Sequence, residues 1–186
     1  MLSVPAFVNI FFKALLDYPE EQDKMYEEIA EVIGPDRLPT IEDRTSLPYV
    51  NAFIYEVMRK SDFSPMLPSV ECTTETNIRG YRIPKGAVTL ANYWAANHDP
   101  GTYDDPETFN PSRFVATPEK PRAELPMLFG VGKRACLGEI YTMTQAFLIL
   151  TSVVQKFHLS KPSTEDDSIP VNPWQTYVVA HPRKNN

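Results

Sequence analysis

The sequence predicts a mainly α-helical fold with small β-sheets, an α+β class, in a single domain over residues 1–186. Three segments carry apolar residues at the three- and four-residue spacing of an amphipathic helix. One intervening segment instead carries short runs of branched and aromatic residues separated by glycine and proline, as β-hairpins do. With 186 residues, 42% of them hydrophobic, the chain is long enough to bury the core of one such domain.

Start and stop residues place the three predicted helices. The first covers about residues 17–33, because Pro19 lies in its first turn and Gly34 followed by proline ends it. The second opens near Ser46 and carries the tract LPYVNAFIYEVMR. The third begins after Cys136, and its apolar stripe extends over roughly 20 residues. Its members are Ile140, Met143, Phe147, Leu150, Val154 and Phe157.

The remainder of the chain is predicted to form hairpins and loops. Residues 73–97, which include GYRIPKGAVTLANYWAAN, carry the β signals and are expected to be hairpin strands. Residues 98–128 are rich in proline and nearly without periodicity, which is typical of a long ordered loop or a linker. A glycine-containing loop, residues 129–138, joins them to the last helix.

The N-terminal segment is apolar, but Pro5 and Lys13 interrupt it well short of the ~20 residues that a membrane span needs. It also lacks the basic region and the small-residue cleavage site of a secretory signal. We therefore expect no membrane anchor in this chain. We expect instead a buried helix that begins abruptly, with further chain before it.

Charge and cysteine content exclude two classes of protein. A net charge of −6 without a basic stripe gives no reason to expect a nucleic-acid partner. Two cysteines, Cys72 and Cys136, form no disulfide framework, and nothing in their surroundings supports a single bridge between them. A reducing compartment is therefore expected.

Glu56 and Arg59 lie three positions apart on the second helix, so their side chains share a face and can pair. An exposed pair of this kind contributes only ~0–1 kcal/mol. The surrounding helix is apolar, however, so burial is expected, and a buried pair usually needs a third group to satisfy the carboxylate. Arg113, in the tract FNPSRF, is the candidate for that group.

The loop FGVGKRACLG, residues 129–138, combines a thiol with glycines and two cations. Its GVGKRA tract formally satisfies the dinucleotide-binding pattern G-x-G-x-x-G/A. The preceding ELPMLF carries a proline in place of a clear strand, however, and residues 140–164 contain no acidic residue for the ribose. A phosphate-binding P-loop is excluded because Lys133 is followed by Arg134 and not by serine or threonine.

Cys136 is a candidate metal ligand. It precedes the last helix, whose first N–H groups favour a thiolate, and a thiolate is both a nucleophile and a ligand. The histidines at 98, 158 and 181 stand at no zinc-ligand spacing. A catalytic cysteine with a histidine nearby in space stays open. Haem needs only one axial thiolate, and Arg134 is placed either to bind a haem propionate or simply to lie in an exposed basic turn.

Several tracts resemble one family, the cytochrome P450 monooxygenases. FGVGKRACLG fits the family's haem-loop pattern F-x-x-G-x-R-x-C-x-G at every specified position. EVMR resembles its E-x-x-R, and FNPSRF resembles its P-x-R-F segment, in the family's order and roughly its spacing. The tracts LPYVNAFIYEVMR, RGYRIPKGAV and HDPGTYDDPETFNPSRF are similar to microsomal, animal-type members, so the resemblance extends from about Leu15 to Pro182.

The resemblance implies a haem b cofactor and a role for each matched residue of the loop. Cys136 would be the axial thiolate ligand of the haem iron. Gly132 and Gly138 would let the backbone approach the haem and the sulfur closely. Phe129 would shield the sulfur side, and Arg134 would pair with a propionate.

The resemblance also implies a buried structural lock made of Glu56, Arg59 and Arg113, which would fix the haem loop and do no chemistry. The family reaction takes two electrons from an NADPH-dependent reductase and inserts one atom of O₂ into an apolar organic substrate. The intact enzyme would lie at the endoplasmic reticulum membrane. The tract NPWQTYVV is the one segment expected to reach substrate, and beyond the haem ligand no catalytic residue is assigned.

The resemblance covers only the C-terminal part of a cytochrome P450 fold, so the domain is expected to be partial. The acidic residue and threonine that handle protons for bound O₂ in the family would fall on Leu2 and Ser3, and a second propionate position reads Val70. The alternative interpretation is therefore a truncated, catalytically inactive fragment or isoform. Cys72 is expected to be a structural strand residue.

Overall fold

The computed structural model describes residues 3–61, 69–162 and 177–183. Within these ranges there are five α-helices and six short strands, which confirms the predicted mainly α class with small sheets. The helices are α1 (Ser3–Asp17), α2 (Pro19–Val32), α3 (Pro48–Lys60), α4 (Tyr93–Asn97) and α5 (Glu139–Lys156). Short 3₁₀ turns occupy Ile41–Ser46, Pro111–Phe114 and Gly132–Arg134.

The strands form three separate antiparallel pairs in the described part of the chain. β1 (Val70–Glu71) pairs with β4 (Val88–Thr89), β2 (Thr76–Ile78) with β3 (Tyr81–Ile83), and β5 (Phe157–Ser160) with β6 (Val179–Pro182). Arg79 and Gly80, between β2 and β3, both have positive φ, as a two-residue hairpin turn of type I′ requires.

Helices α1, α2, α3 and α5 enclose the main hydrophobic core. Pro5 lies in the first turn of α1, where its missing N–H costs no hydrogen bond. Gln22 ties this core to the last sheet, because its side-chain amide donates to Leu15 O and Leu159 O and accepts from Leu159 N. The largest fully buried apolar side chains include Phe7, Phe11, Leu15, Met25, Ile29, Phe53, Ile54, Phe147 and Leu150.

Helix α3 begins at a cap supplied by another helix. The Glu28 carboxylate of α2 accepts hydrogen bonds from Tyr49 N at 2.8 Å and from Val50 N at 2.9 Å. These are two of the N–H groups that a helix start leaves without an intrahelical partner. Since α3 carries Glu56 and Arg59, this cap fixes the start of the helix that presents them.

The hairpins predicted for residues 73–97 are confirmed only in part. The prediction was wrong at its end, where Tyr93–Asn97 form helix α4. The Asn92 side chain accepts a hydrogen bond from Ala95 N at 2.9 Å, and this N-cap stabilises a helical turn over a run of aromatic residues. Cys72 lies directly after β1 and continues its pairing through Cys72 N to Ala87 O at 2.9 Å.

The apolar stripe of the last helix was also predicted too long. Phe157 opens strand β5, where it pairs with Pro182, so strand pairing ends the helix before that position. Ile140, in the first turn of α5, is exposed. The core buries residues of this helix only from Met143 onward. No helix in the described ranges has the length and apolar character that a membrane crossing requires.

Candidate functional site

Cys136 lies in the short connection that leads into α5, two residues before Gly138, the N-cap of that helix. Its thiol is free and the residue is exposed. Cys136 N donates to Phe129 O at 2.7 Å, which closes residues 129–136 into a loop, and a 3₁₀ turn over Gly132–Arg134 shapes its middle. The loop therefore presents the sulfur at its surface, beside a helix start.

Two of the three glycines in this loop have a backbone conformation that favours glycine, and the third does not. Gly130 and Gly132 have φ of 82° and 70°, a left-handed backbone that side chains disfavour. Gly138 has an ordinary φ of −87°, so its backbone would accept other residues. A Cβ at Gly138 would lie 3.7 Å from Cys136 Sγ, so the missing side chain leaves one flank of the thiol open.

Apolar side chains next to Cys136 in sequence are turned to the surface. Val131, Leu137 and Ile140 are 71%, 104% and 82% exposed, although apolar residues of this size are usually buried. Their apolar surface is available to a ligand.

Phe129 and Arg134, the remaining matched loop positions, lie in different surroundings. The Phe129 ring is partly buried, 5.8 Å from the ring of Phe7, so it anchors the loop on α1. Arg134 and its neighbour Lys133 are exposed, and no ion pair or side-chain hydrogen bond with another described residue engages either cation. Both cations are therefore available to an anionic group.

A haem requires three kinds of group from the protein that binds it. A thiolate can bind the iron, an apolar surface can contact the porphyrin, and free cations can pair with the propionates at its edge. Cys136, the apolar residues beside it and the Lys133–Arg134 pair supply all three kinds of group. The residues present fit a haem.

Glu56, Arg59 and Arg113, the predicted lock residues, meet in the interior. Arg59 Nε and Nη2 donate to the two carboxylate oxygens of Glu56, each at 2.8 Å, and both side chains have no exposed area. Arg113 Nε lies 3.2 Å from Glu56 Oε2, and its side chain is 6% exposed. Asn110 N donates to Glu56 Oε1 at 2.8 Å. Three residues thus hold the Glu56 carboxylate: Arg59, Arg113 and Asn110.

The remaining donors of the two arginines bind backbone carbonyls of the segment 98–128 and its border. Arg59 donates to Asn97 O at 2.9 Å and to Thr108 O at 3.3 Å. Arg113 donates to Asp104 O at 2.7 Å, to Asp105 O at 3.2 Å and to Thr108 O at 3.1 Å. The cluster therefore fastens this proline-rich segment to α3.

Tyr103 is a member of this cluster that sequence reasoning missed. Its ring is buried, and the Arg59 guanidinium carbon lies 5.2 Å from the ring centroid, a cation–π arrangement. The Tyr103 hydroxyl donates to Glu124 O at 3.2 Å. Burial raises the pKa of the phenol, and the nearby Arg59 charge opposes that shift only in part. A tyrosine inside an aperiodic, charged tract was the one available signal.

Asn97 was also missed, and the sequence predicts strands for the segment that contains it. It is buried, it ends α4, and its carbonyl accepts from Arg59. The lone signal in the sequence was an amide at the end of a run of apolar and aromatic residues.

Other residues singled out from the sequence lie apart from the loop or outside the described ranges. Val70 is half-exposed in β1 and pairs with Thr89, and its apolar side chain offers no charge to a propionate. Leu2 and residues 172–176 of NPWQTYVV are outside the described residues, and Ser3 begins α1.

Comparison with known proteins places the chain in a family. It matches the Cytochrome P450 family model over residues 6–186. It is 42% identical over 153 residues to Cytochrome P450 1A1 of Opsanus tau, which covers 78% of this chain and 29% of that relative. It is 42% identical over 157 residues to Cytochrome P450 2J1 of Oryctolagus cuniculus, which covers 84% of this chain and 31% of that relative.

A solved structure of a cytochrome P450 also resembles this chain. A zebra fish cytochrome P450, determined with abiraterone, superposes with a TM-score of 0.80 at 35% identity, covering 98% of this chain and 44% of that one. The chain belongs to the cytochrome P450 family. It spans about 30% of the length of the curated relatives described above, and it has the cytochrome P450 fold over that part.

Proposed function

We propose that this chain binds haem through Cys136 and forms the thiolate side of a monooxygenase that inserts one atom of O₂ into an apolar organic substrate. The observation that carries the proposal is the free, exposed thiol at the start of α5, in a loop that matches the family pattern at every specified position. When bound, the haem supplies the iron that reacts with O₂, and a thiolate ligand donates the electron density that favours O–O cleavage.

The residues around Cys136 bind and orient the cofactor in this proposal. Arg134 pairs with a propionate through its guanidinium, and Lys133 offers a second cation beside it. Leu137 and Val131, both exposed, contact the porphyrin and keep water from the sulfur. Phe129 holds the loop against α1 through Phe7.

Glu56, Arg59 and Arg113 act in this proposal as a structural lock. They carry no proton or electron in the reaction, because each is buried and fully engaged with its partners. Their bonds to the carbonyls of Asp104 and Thr108 hold the segment 98–128, whose end leads directly into the haem loop. The lock thus acts on the loop through the chain that precedes it.

The partners and location are inferred from the family. An NADPH-dependent reductase would supply the two electrons, and the substrate would be an apolar small molecule. The intact enzyme lies at the endoplasmic reticulum membrane, in keeping with the animal relatives. Assays of the 186-residue chain and of a longer chain, each with reductase, decide between two cases. The 186-residue chain either oxidises substrate alone or is a catalytically inactive fragment or isoform.

Haem reconstitution tests the proposal. The chain is purified with added haem, reduced and exposed to carbon monoxide, in three forms: unmodified, Cys136→Ser and Cys72→Ser. We expect a Soret band at the thiolate position in the unmodified chain and in Cys72→Ser, and its loss in Cys136→Ser. A thiolate-type band that survives Cys136→Ser, or its absence from all three, would contradict the proposal.

A further inference from the structure

The side chain of Asn97 makes a two-way contact with one residue of the segment that enters the Cys136 loop. Asn97 Nδ2 donates to Met127 O at 2.8 Å, and Met127 N donates to Asn97 Oδ1 at 2.9 Å. Asn97 is only 3% exposed. One side-chain amide therefore satisfies both backbone polar groups of Met127, much as a neighbouring strand would.

The backbone of Asn97 makes the second contact. Its carbonyl accepts a hydrogen bond from Arg59 Nη1 at 2.9 Å, and Arg59 in turn binds both oxygens of Glu56. Asn97 thus contacts the buried charged cluster through its main chain and the loop segment through its side chain. No other residue in the described ranges hydrogen-bonds both Arg59 and Met127.

The distance along the chain from Met127 to the thiol loop is short. Leu128, the next residue, is buried in the core. Phe129 follows, and its carbonyl accepts from Cys136 N at 2.7 Å, the bond that closes the loop. The base of the loop is therefore fixed by Asn97 on one side and by the contact of Phe129 with Phe7 on the other.

We propose that Asn97 is a positioning residue that sets the place of the Cys136 loop relative to the buried Glu56–Arg59–Arg113 cluster. This inference rests on the proposed function in one respect, namely that the Cys136 thiol is a haem ligand. The contact needs a donor and an acceptor on one short side chain. Alanine supplies neither group, and aspartate supplies only acceptors, which would leave the Met127 carbonyl unpaired.

Hydrogen exchange on the 186-residue chain without haem tests the positioning role, with Asn97→Ala, Asn97→Asp and Asn92→Asp compared. Asn92→Asp is the matched control, because it changes an exposed asparagine at the start of the same short helix, and an aspartate oxygen still accepts from Ala95 N and keeps the N-cap. We expect amide exchange in residues 127–136 to speed up at least roughly tenfold in both Asn97 variants while α2 keeps its protection. Unchanged exchange in 127–136, or equal loss in α2, would overturn the inference.

A second readout uses haem-loaded protein at equal haem content. Among molecules that retain haem, the share with a thiolate-type carbon-monoxide Soret band should fall in Asn97→Ala and not in Asn92→Asp. An unchanged share would also overturn the positioning role. If the unmodified chain shows no thiolate-type band, the proposed function fails, and the exchange comparison still decides whether Asn97 positions the loop.

Discussion

The guanidinium of Arg59 binds both carboxylate oxygens of Glu56 at 2.8 Å, and neither side chain has any exposed area. Arg113 approaches the same carboxylate at 3.2 Å, so one buried negative charge faces two positive ones. The excess positive charge is met by backbone carbonyls, among them Asn97 O and Asp104 O. Loss of Glu56 would therefore leave two buried positive charges without a carboxylate, whereas loss of either arginine would leave a one-to-one pair and unpaired backbone carbonyls.

Glu56→Gln is expected to destabilise the chain strongly. Two buried guanidiniums would lose the one carboxylate partner they have among the described residues, and breaking a buried pair typically costs ~3–5 kcal/mol. The free energy of unfolding, measured by denaturant titration, checks this. Glu75→Gln is the control, since the Glu75–Arg82 pair lies at the surface and its loss should change little. Equal effects of the two substitutions would show that burial does not govern the cluster.

Arg113→Ala, in a chain extended to the length of the relatives, is expected to lower haem retention more than it alters substrate preference. The substitution removes the bonds to Asp104, Asp105 and Thr108 and so loosens the segment before the haem loop. Haem transfer to apomyoglobin measures retention. Arg122→Ala removes an exposed arginine of the same segment and is the control. Unchanged haem content in Arg113→Ala would refute the lock.

Glu28→Ala is expected to destabilise the chain by about 0.5–2 kcal/mol, the usual cost of losing a helix N-cap. Its carboxylate is the acceptor for Tyr49 N and Val50 N at the start of α3. Glu27→Ala, at the exposed neighbouring position, is the control. Denaturant titration of both variants measures the difference, and equal midpoints would show that α3 needs no cap from α2.

Stability is expected to fall between pH 10 and pH 12 partly because of Tyr49. Burial, reinforced by the hydrogen bond to Glu21, raises the pKa of Tyr49 to about 12, against 10.0 for an ordinary phenol. Below pH 10 the phenol is protonated in both states, so its contribution is fully present. Above pH 10 the unfolded chain loses that proton first, and the contribution is lost as the pH rises through about 12.

The free energy of unfolding of Tyr49→Phe, followed across this range, checks the assignment. It should fall less steeply than that of the unmodified chain. Tyr81→Phe is the matched control at an exposed site, and its slope should follow the unmodified chain. If the slope of Tyr49→Phe also follows the unmodified chain, another group is responsible.

The fold class and most elements could be predicted because their signals are local. Proline at a first turn and glycine after a last turn placed α2 within a few residues, and Gly80 marked the hairpin between β2 and β3. Helix α4 could not be predicted in this way. Five residues are too few for a helical period to show, and Tyr93 with Trp94 favours a strand by intrinsic preference.

The candidate site was predictable where chemistry limits the choices. The need of a buried carboxylate for a third partner pointed to Arg113, and the structure brings Arg113 to Glu56. Asn97 and Tyr103 were missed because their partners, Met127 and Arg59, lie far away in the sequence. Contacts of this kind arise from packing, and no local period or motif records them.

Iron K-edge X-ray absorption of the haem-loaded chain tests most directly whether Cys136 is the axial ligand. We expect one sulfur scatterer bound to iron in the unmodified chain and in Cys72→Ser, and its replacement by a lighter atom in Cys136→Ser. A spectrum without bound sulfur in the unmodified chain, or one that Cys136→Ser leaves unchanged, would contradict it.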